Sequence, residues 1–399
     1  MGTFNGTILI IGASAAGISA AREIRKINQI AEITIITDEP YRPYYRPFLT
    51  EYIGDPQVAA KVNFYLNPEE WYRAHNIQLL LGEKVTRINA AAKAVSTAKD
   101  RELTYHKLIL ANGSKPFVPI QSVLEKKNVF AIRTFEDAQK VERYSNTVKR
   151  VTVIGGGLLG IETAYALAQK QLHITIIEFV NRILPLQLDE EGSLMFQSIM
   201  EKQGVELKLN ALAEAFEGQE TVSALKLKSG EEIPTEMVIF CIGVRANLEL
   251  ATSCGLKTNR GVVVNEKMET SLPNIYACGD VAEFERNPAL WTVAQEQGKV
   301  AGLNAIGEPA VFKTENYPTR LQSFNTKVYS IGDVGRADHL KDYITMGRKI
   351  PEELIYKQLY FKGDKLTGGI LIGDIKKATS MSKAVNQNLS LPETLSLLE

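Results

Sequence analysis

Cysteine is scarce in this chain: Cys241, Cys254 and Cys278 are the only three among 399 residues. They are odd in number and far apart, with no CxxC or CxxxxC pair. That argues against a disulfide scaffold, a cysteine-paired zinc site and a local redox-active dithiol, and no metal is expected. Histidine is nearly as rare, and none of His75, His106, His173 and His339 stands in a pattern that suggests a catalytic base. Net charge is absent, with 46 basic residues against 46 acidic ones. A strongly basic DNA binder is therefore disfavoured, and nucleic acid is not an expected partner. No apolar run approaches the roughly 20 residues needed to span a bilayer, so a membrane is not expected either. The opening segment MGTFNGTILIIG lacks the charged start and cleavage site of a signal peptide, which leaves the cytoplasm as the expected location.

What remains is an ordinary globular composition, 45% hydrophobic and 23% charged, in a chain long enough for two or three domains. An apolar run from Thr7 to Ile11 predicts a strand. A glycine turn, a small-residue helix from about Ala15 and a second strand over Ile33 to Ile36 follow. This is one strand–helix–strand unit. The pattern returns with a strand at Arg150 to Ile154, a turn at Gly155 to Gly160, a helix through about Ala168 and a strand at Ile174 to Ile177. Two such units predict an α/β fold with two Rossmann-like dinucleotide-binding domains. From about Asn316 the character changes. Runs rich in β-formers at 355–362 and 365–372 flank Gly363-Asp364, a hairpin signal, and a helix follows over about Lys376 to Asn386. That predicts a small C-terminal α+β domain.

The first turn, ILIIGASAAGISAA, places Gly12, Ser14 and Gly17 in the G-x-G-x-x-G frame, with Ala13, Ala15 and Ala16 between them. The first glycine permits the tight turn and the last lets the helix pack on the sheet. The middle position lets the backbone approach a pyrophosphate held at the helix N-terminus, and Ser14 there is a small departure. Where the second strand ends come Asp38 and Glu39, whose carboxylates can accept hydrogen bonds from ribose hydroxyls. The second turn, VTVIGGGLLGIETA, carries the full pattern in Gly155, Gly157 and Gly160. Leu158 and Leu159 open its helix, and Glu162 lies on the first turn. The next strand ends at Glu178, where a ribose 2′-hydroxyl would lie. A 2′-phosphate would meet like charge there, which favours NADH over NADPH.

Three further segments complete a pattern. KLILANGSKP is a strand ending in Ala111-Asn112-Gly113, MVIFCIGVRAN is its analogue after the second unit, and NIYACGDVAEF is a strand ending in Gly279-Asp280. With these, the chain resembles the FAD-dependent branch of the pyridine nucleotide–disulfide oxidoreductase superfamily over essentially its whole length. The resemblance implies FAD and NADH as cofactors. It implies that Asp280 bonds the flavin's ribityl chain, with Gly279 letting the strand end approach, and that Ala111, Asn112 and Gly113 form a further FAD turn, Asn112 replacing the usual threonine. It assigns FAD contacts to Arg46 and Pro47 in the loop DEPYRPYYRPFLTEYIG and to Arg133 in FAIRTFEDA, and cofactor contacts to Val85 and Gly243. That loop and the C-terminal LYFKGDKLTGGILIGD narrow the likeness to rubredoxin reductases and the flavin portion of assimilatory nitrite reductases. Relatives that serve oxygenases through ferredoxin often have lysine where this chain has Glu51. The helix in LWTVAQEQGKVAGLNAIG is implied to face the flavin ring, with Glu296 a candidate on it. The N-terminus of that helix, around Gln295 to Lys299, could stabilise charge at flavin N1/O2.

The expected domains are 1–117 and 246–312 for FAD, 118–245 for NADH inserted between them, and 313–399 as a C-terminal domain covering the flavin. Hydride transfer asks for ring alignment and exclusion of water more than for acid–base help. The catalytic candidates are therefore few: Glu162, orienting the nicotinamide side, and Glu296. Trp291 is either a flavin cover or a core residue. Cys241 and Cys278, in apolar strands, are expected to be buried and structural. Without a thiol relay, electrons must leave the flavin directly. This suits a small iron–sulfur carrier, rubredoxin or a ferredoxin-like protein, docking on a monomer or homodimer. Residues 313–399 hold thirteen Lys and Arg against ten Asp and Glu, an excess that either attracts an acidic carrier or is simply solvated. The alternatives are an NADH oxidase, the flavin subunit of a larger reductase, and a redox-gated binding protein similar to the apoptosis-inducing-factor group.

Overall fold

The computed structural model describes all residues except 1–3, 62, 286–287 and 335–341, so His339 lies outside the described residues. Two parallel five-stranded sheets dominate. In the first the strand order is Ile275–Ala277, Lys107–Leu110, Thr7–Ile11, Glu32–Ile36 and Ile77–Leu80. In the second it is Val205–Lys208, His173–Ile177, Arg150–Ile154, Met237–Phe240 and Val129–Ala131. Apolar residues on both faces of the central strands explain the parallel arrangement: Ile8, Leu9 and Ile10 are all buried, as are Val151, Val153 and Ile154. The C-terminal ends of the first sheet converge on the turns after Ile11, Ile36, Leu110 and Ala277. An open parallel sheet binds ligands at that edge.

Two helices seal the first sheet, Ala15–Ile27 and Trp291–Ala305. They approach closely because each presents small residues to the other. A Cβ at Gly298 would lie 2.2 Å from the Ala16 carbonyl oxygen, and one at Gly302 would lie 2.7 Å from that of Ala20. This contact ties residues near the chain's start to a segment almost 300 positions later, so the first nucleotide unit is assembled from two separate stretches of chain. An antiparallel pair, Ser114–Pro116 with Val244–Ala246, carries the chain into and out of the second unit.

The C-terminal part is an antiparallel sheet in the order Thr319–Ser323, Thr326–Gly332, Lys365–Ile372, Ile355–Lys362 and Ile344–Ile350, backed by the helix Ala378–Asn386. The hairpin over Gly363-Asp364 has the expected register, with Lys362 opposite Lys365. The sheet docks on the second unit, where Leu321, Phe324, Val328, Tyr356 and Tyr360 share a core with Ile161, Phe196 and Ile199. Asp189, the N-cap of the helix Glu190–Glu201, accepts hydrogen bonds from the hydroxyls of both Tyr356 and Tyr360, and Gln203 donates to the Phe324 carbonyl at 2.7 Å. Burying two tyrosines requires partners for their hydroxyls, and Asp189 supplies them from the second unit.

Candidate functional site

The first glycine loop turns because Gly12 has φ +111°, and a Cβ there would meet the Ala111 carbonyl oxygen at 2.1 Å. Gly17 has its own reason: a Cβ would sit 2.0 Å from the Gly12 oxygen, blocking helix from strand. The helix that follows has Ser14 as N-cap, yet no side chain caps it and no acid stands in its first turn. Its leading N–H groups are left to an anion, the arrangement that receives a phosphate. The Ser14 hydroxyl instead accepts a hydrogen bond from Arg46 Nε at 3.0 Å.

Arg46 organises this end of the sheet. Its remaining nitrogens reach the Arg133 carbonyl and the Glu39 carboxylate. Glu39 also accepts from the Tyr44 hydroxyl at 2.6 Å, whereas Asp38 is exposed at the same strand end. Arg133 in turn pairs with Asp280 at 2.8 Å, and Ser114 donates to the same carboxylate oxygen at 2.9 Å. Gly279, φ +75°, brings Asp280 in against Ala16, where a Cβ would be 2.9 Å from the alanine methyl. Asn112 and Asn247 bond each other's main-chain carbonyls at 3.0 and 2.7 Å.

These residues line two adjoining cavities. The larger, about 720 Å³, runs past Gly12, Ala13, Asp38, Glu39, Val85, Asn112 and Asn247. The smaller, about 210 Å³, is lined by Ala15, Ala16, Pro47, Thr50, Asp280, Trp291 and Ala294, and by Leu159 and Glu162 of the second unit. Ser14, Arg46, Ala111, Gly113 and Arg133 border both. An elongated channel over the carboxyl ends of a parallel sheet is the shape a dinucleotide needs. Among the described residues, Asn112 Oδ1 is buried without a hydrogen-bond partner, an acceptor that a ligand hydroxyl would satisfy. The residues present therefore fit FAD.

The second glycine loop repeats the backbone device. Gly155 has φ +114°, and a Cβ at Gly160 would lie 1.9 Å from the Gly155 oxygen. Gly157 caps the helix Leu158–Ala168 with open space around its Cβ position. Glu178 stands against this loop, accepting from the Gly156 N–H at 2.6 Å and the Val180 N–H at 3.0 Å. Gly243, φ +93°, is exposed at the turn after Met237–Phe240. A pyridine nucleotide fits here on the same grounds: an uncapped helix start, a glycine with room above it, and a strand-end carboxylate.

Glu162, one turn into that helix, meets the smaller cavity. The Thr50 hydroxyl lies 3.3 Å from its carboxylate. Burial pushes its carboxyl up to about 7, the Thr50 hydrogen bond opposes that rise, and nearby Glu51 adds to it. Trp291 is half-buried on the cavity wall and stands edge-on to Tyr45 with ring centroids 4.8 Å apart.

Expectations for the helix Trp291–Ala305 are corrected. Glu296 does not line the cavity: it is exposed and accepts from the Tyr317 hydroxyl at 2.9 Å. Its neighbour Gln297 is the residue turned inward at this level, accepting from the Gly279 N–H at 2.9 Å. A helix turns about 100° per residue, so one step in sequence moves a side chain from cavity to solvent. The helix starts at Trp291, which puts its N-terminal groups at Trp291 to Ala294 and leaves Gln295 to Lys299 in its interior. Among the described residues, none of the C-terminal domain is on the lining of these two cavities.

Sequence reasoning passed over Ser114, Thr50 and Asn247, and over Glu83, which lines the larger cavity. Ser114 directly follows the Ala-Asn-Gly turn, and that adjacency was the available signal. Cys241 and Cys278 are buried, and burial pushes both thiols up to about 12, which makes them inert at neutral pH. His75 stacks on Trp71, and His106 bonds the Thr7 hydroxyl.

Residues 6–298 match the family described as pyridine nucleotide-disulphide oxidoreductase, and residues 318–389 match the rubredoxin NAD+ reductase C-terminal domain. The chain belongs to the pyridine nucleotide-disulphide oxidoreductase family. This family binds FAD and NAD(H), and the fold is its mixed α/β architecture with the added C-terminal domain. The chain is similar to the NADH-rubredoxin oxidoreductase of Clostridium acetobutylicum, 32% identical over 394 residues that cover 98% of this chain and 97% of that protein. It is also similar to a nitrite reductase of Bacillus subtilis, 32% identical over 393 residues covering 97% of this chain but 48% of that protein. The chain thus spans about half the length of that relative. Among solved structures, the covalent complex of putidaredoxin reductase with putidaredoxin superposes with a TM-score of 0.88 at 26% identity, covering 99% of this chain and 96% of that one. Among the described residues, no helix is long and apolar enough to cross a membrane.

Proposed function

We propose that this protein is an NADH-dependent FAD oxidoreductase that passes electrons to a small iron–sulfur carrier, rubredoxin or a ferredoxin-like protein, in the cytoplasm. One observation carries the reading: a single cavity is lined by Ser14 to Ala16 beside the first glycine loop and by Leu159 and Glu162 beside the second. Two nucleotides bound at those loops bring their reactive ends to one place. When bound, the flavin accepts an electron pair as hydride and can release electrons singly.

The chain's own residues do the rest. The start of the helix Ala15–Ile27, with Arg46 braced by Glu39 and Ser14, holds the pyrophosphate. Asp280, fixed by Arg133 and Ser114, takes the ribityl hydroxyls. Gly155 to Gly160 and Glu178 hold NADH, the carboxylate selecting a ribose hydroxyl over a phosphate. Trp291, Tyr45 and Pro47 keep water from the reacting faces. With Cys241 and Cys278 buried, no thiol stands between flavin and acceptor, which supports direct exit of electrons.

The acceptor assignment is supported by the match of residues 318–389 and by the likeness to the Clostridium protein over nearly the whole of both chains. A second reading, the electron-entry portion of a larger reductase, is favoured by the half-length match to the Bacillus nitrite reductase. Anaerobic reduction with NADH, followed by stopped-flow mixing with rubredoxin, ferredoxin and oxygen in separate runs, tests the assignment. Rapid reoxidation by rubredoxin or ferredoxin is expected. Reoxidation by oxygen alone would overturn the carrier reading in favour of an oxidase.

A further inference from the structure

A continuous run of contacts joins the C-terminal sheet to the second glycine loop. Glu178 ends its strand with its carboxylate on the Gly156 N–H, and the chain then passes beneath the loop. The Leu184 N–H donates to the Gly156 carbonyl at 2.8 Å, and a Cβ at Gly156 would lie 3.2 Å from an Ile183 methyl. Ile183 and Leu184 are fully buried, so they form the floor on which the loop rests. Leu184 holds a left-handed backbone, φ +48°, which a leucine keeps only where its surroundings fix it. The Gln187 and Leu188 N–H groups both donate to the Leu184 carbonyl at 2.9 Å, closing a turn that leads to Asp189. Asp189 caps the helix Glu190–Glu201, accepting from the Gly192 N–H at 2.8 Å. Within the first turn of that helix, buried Ser193 donates to the Ile183 carbonyl at 2.8 Å and ties the helix back to the floor. The run ends in the C-terminal sheet: the other Asp189 oxygen accepts from the hydroxyls of Tyr356 and Tyr360. Four residues apart on the strand Ile355–Lys362, these tyrosines share one face and are buried there.

We propose that Tyr356 and Tyr360 are positioning residues for the NADH site: through Asp189 they hold residues 183–189 against the second glycine loop and so set its affinity for the pyridine nucleotide. The inference rests on the NADH reading above and deepens it. A nucleotide held by one loop and one strand-end acid binds only as well as that loop is already formed, because ordering it on arrival subtracts from affinity. Without the two hydroxyls, Asp189 keeps the Gly192 N–H alone. A half-buried carboxylate short of donors turns toward water, and the cap and the turn before it loosen together. The first glycine loop takes no part in this run, so flavin binding is untouched. Gln203 supplies an internal control. It joins the same two bodies by donating to the Phe324 carbonyl, but from beyond the other end of the helix Glu190–Glu201, away from the floor.

The test uses the full chain with FAD bound, NAD+ affinity measured by calorimetry, and NADH turnover with ferricyanide as acceptor. The double variant Tyr356→Phe, Tyr360→Phe keeps both rings and loses only the hydroxyls. It should bind NAD+ about tenfold more weakly and raise the KM for NADH to match, with kcat and the flavin-to-protein ratio unchanged. Amide hydrogen exchange should quicken over residues 183–189. Each single variant should give about a threefold loss, which keeps the test available if the double variant folds poorly. Asp189→Ala should weaken NAD+ binding as the double variant does, and combining the two should cost nothing more, since both break one run. Gln203→Ala should lower the Tm and leave NAD+ affinity level. A double variant that binds NAD+ as the native protein does, or a Gln203→Ala variant that weakens it equally, overturns the proposal while leaving the NADH reading intact. Failure of the native protein to bind NAD+ saturably overturns the NADH reading together with it.

Discussion

The two glycine loops share a backbone and differ in what surrounds them. In both, a glycine with φ above +110° turns the strand, and a second glycine five residues later lets the helix close on the turn. Around the first loop the rest of the chain converges: Arg46 on Ser14, Glu39 on Arg46, Arg133 and Ser114 on Asp280. Around the second, Gly157 faces open space and Glu178 is held by backbone N–H groups of its own unit. A nucleotide enclosed by groups from several distant segments is held through many contacts at once and leaves slowly. One resting on a single loop and a single acid can exchange every cycle. The contrast suits a resident flavin and a transient pyridine nucleotide.

The comparison can be broken at four places, in decreasing order of effect. Gly12→Ala should be the most damaging, since a methyl must fit 2.1 Å from the Ala111 oxygen at a φ that alanine avoids. A loss of about 3 kcal/mol is expected, read as a lowered midpoint in urea denaturation of the apoprotein. Asp280→Ala should leave preparations colourless or weakly yellow, because it removes the ribityl acceptor and strands Arg133; the flavin-to-protein absorbance ratio reads this, and full occupancy would refute the role. Glu178→Ser should act on the other loop without touching flavin content. It should narrow the preference for NADH over NADPH about tenfold in kcat/KM, and an unchanged ratio would show that this acid does not read the ribose.

The smallest effect is on stability, at Glu162. Its carboxyl is raised in the folded protein to about 7, above the ordinary glutamate value. The protonated form is thus favoured by folding. Its contribution is complete below the ordinary glutamate range and is lost as pH rises through about 7. Glu162→Gln, neutral throughout, should therefore match the native apoprotein at pH 4 and exceed it at pH 8, seen as a higher Tm only at the alkaline end. Equal Tm differences at the two ends would show that the shift is absent.

Local pattern was enough to read both strand–helix–strand units, the glycine loops and the hairpin at Gly363-Asp364, because turns, periodicity and steric demands are written within about ten neighbouring residues. Ranges such as Thr7–Ile11 and Arg150–Ile154 agree with the strands, as do 355–362 and 365–372. Reading was poorer where a side chain's direction depends on a helix's rotation, as with Glu296 against Gln297. It was poorer again where one body packs on another, as the C-terminal sheet does on the second unit.

The sequence by itself determined that two nucleotides bind, since only glycine can occupy Gly12 and Gly155 without striking the neighbouring strand. It also determined that no CxxC or CxxxxC pair is present. Tertiary structure alone decided that Arg46 reaches Ser14, that Thr50 meets Glu162, and that Tyr356 and Tyr360 meet Asp189. Those contacts join residues about 30 to 170 positions apart, and the packing of helices and sheets selects them from many chemically equivalent partners.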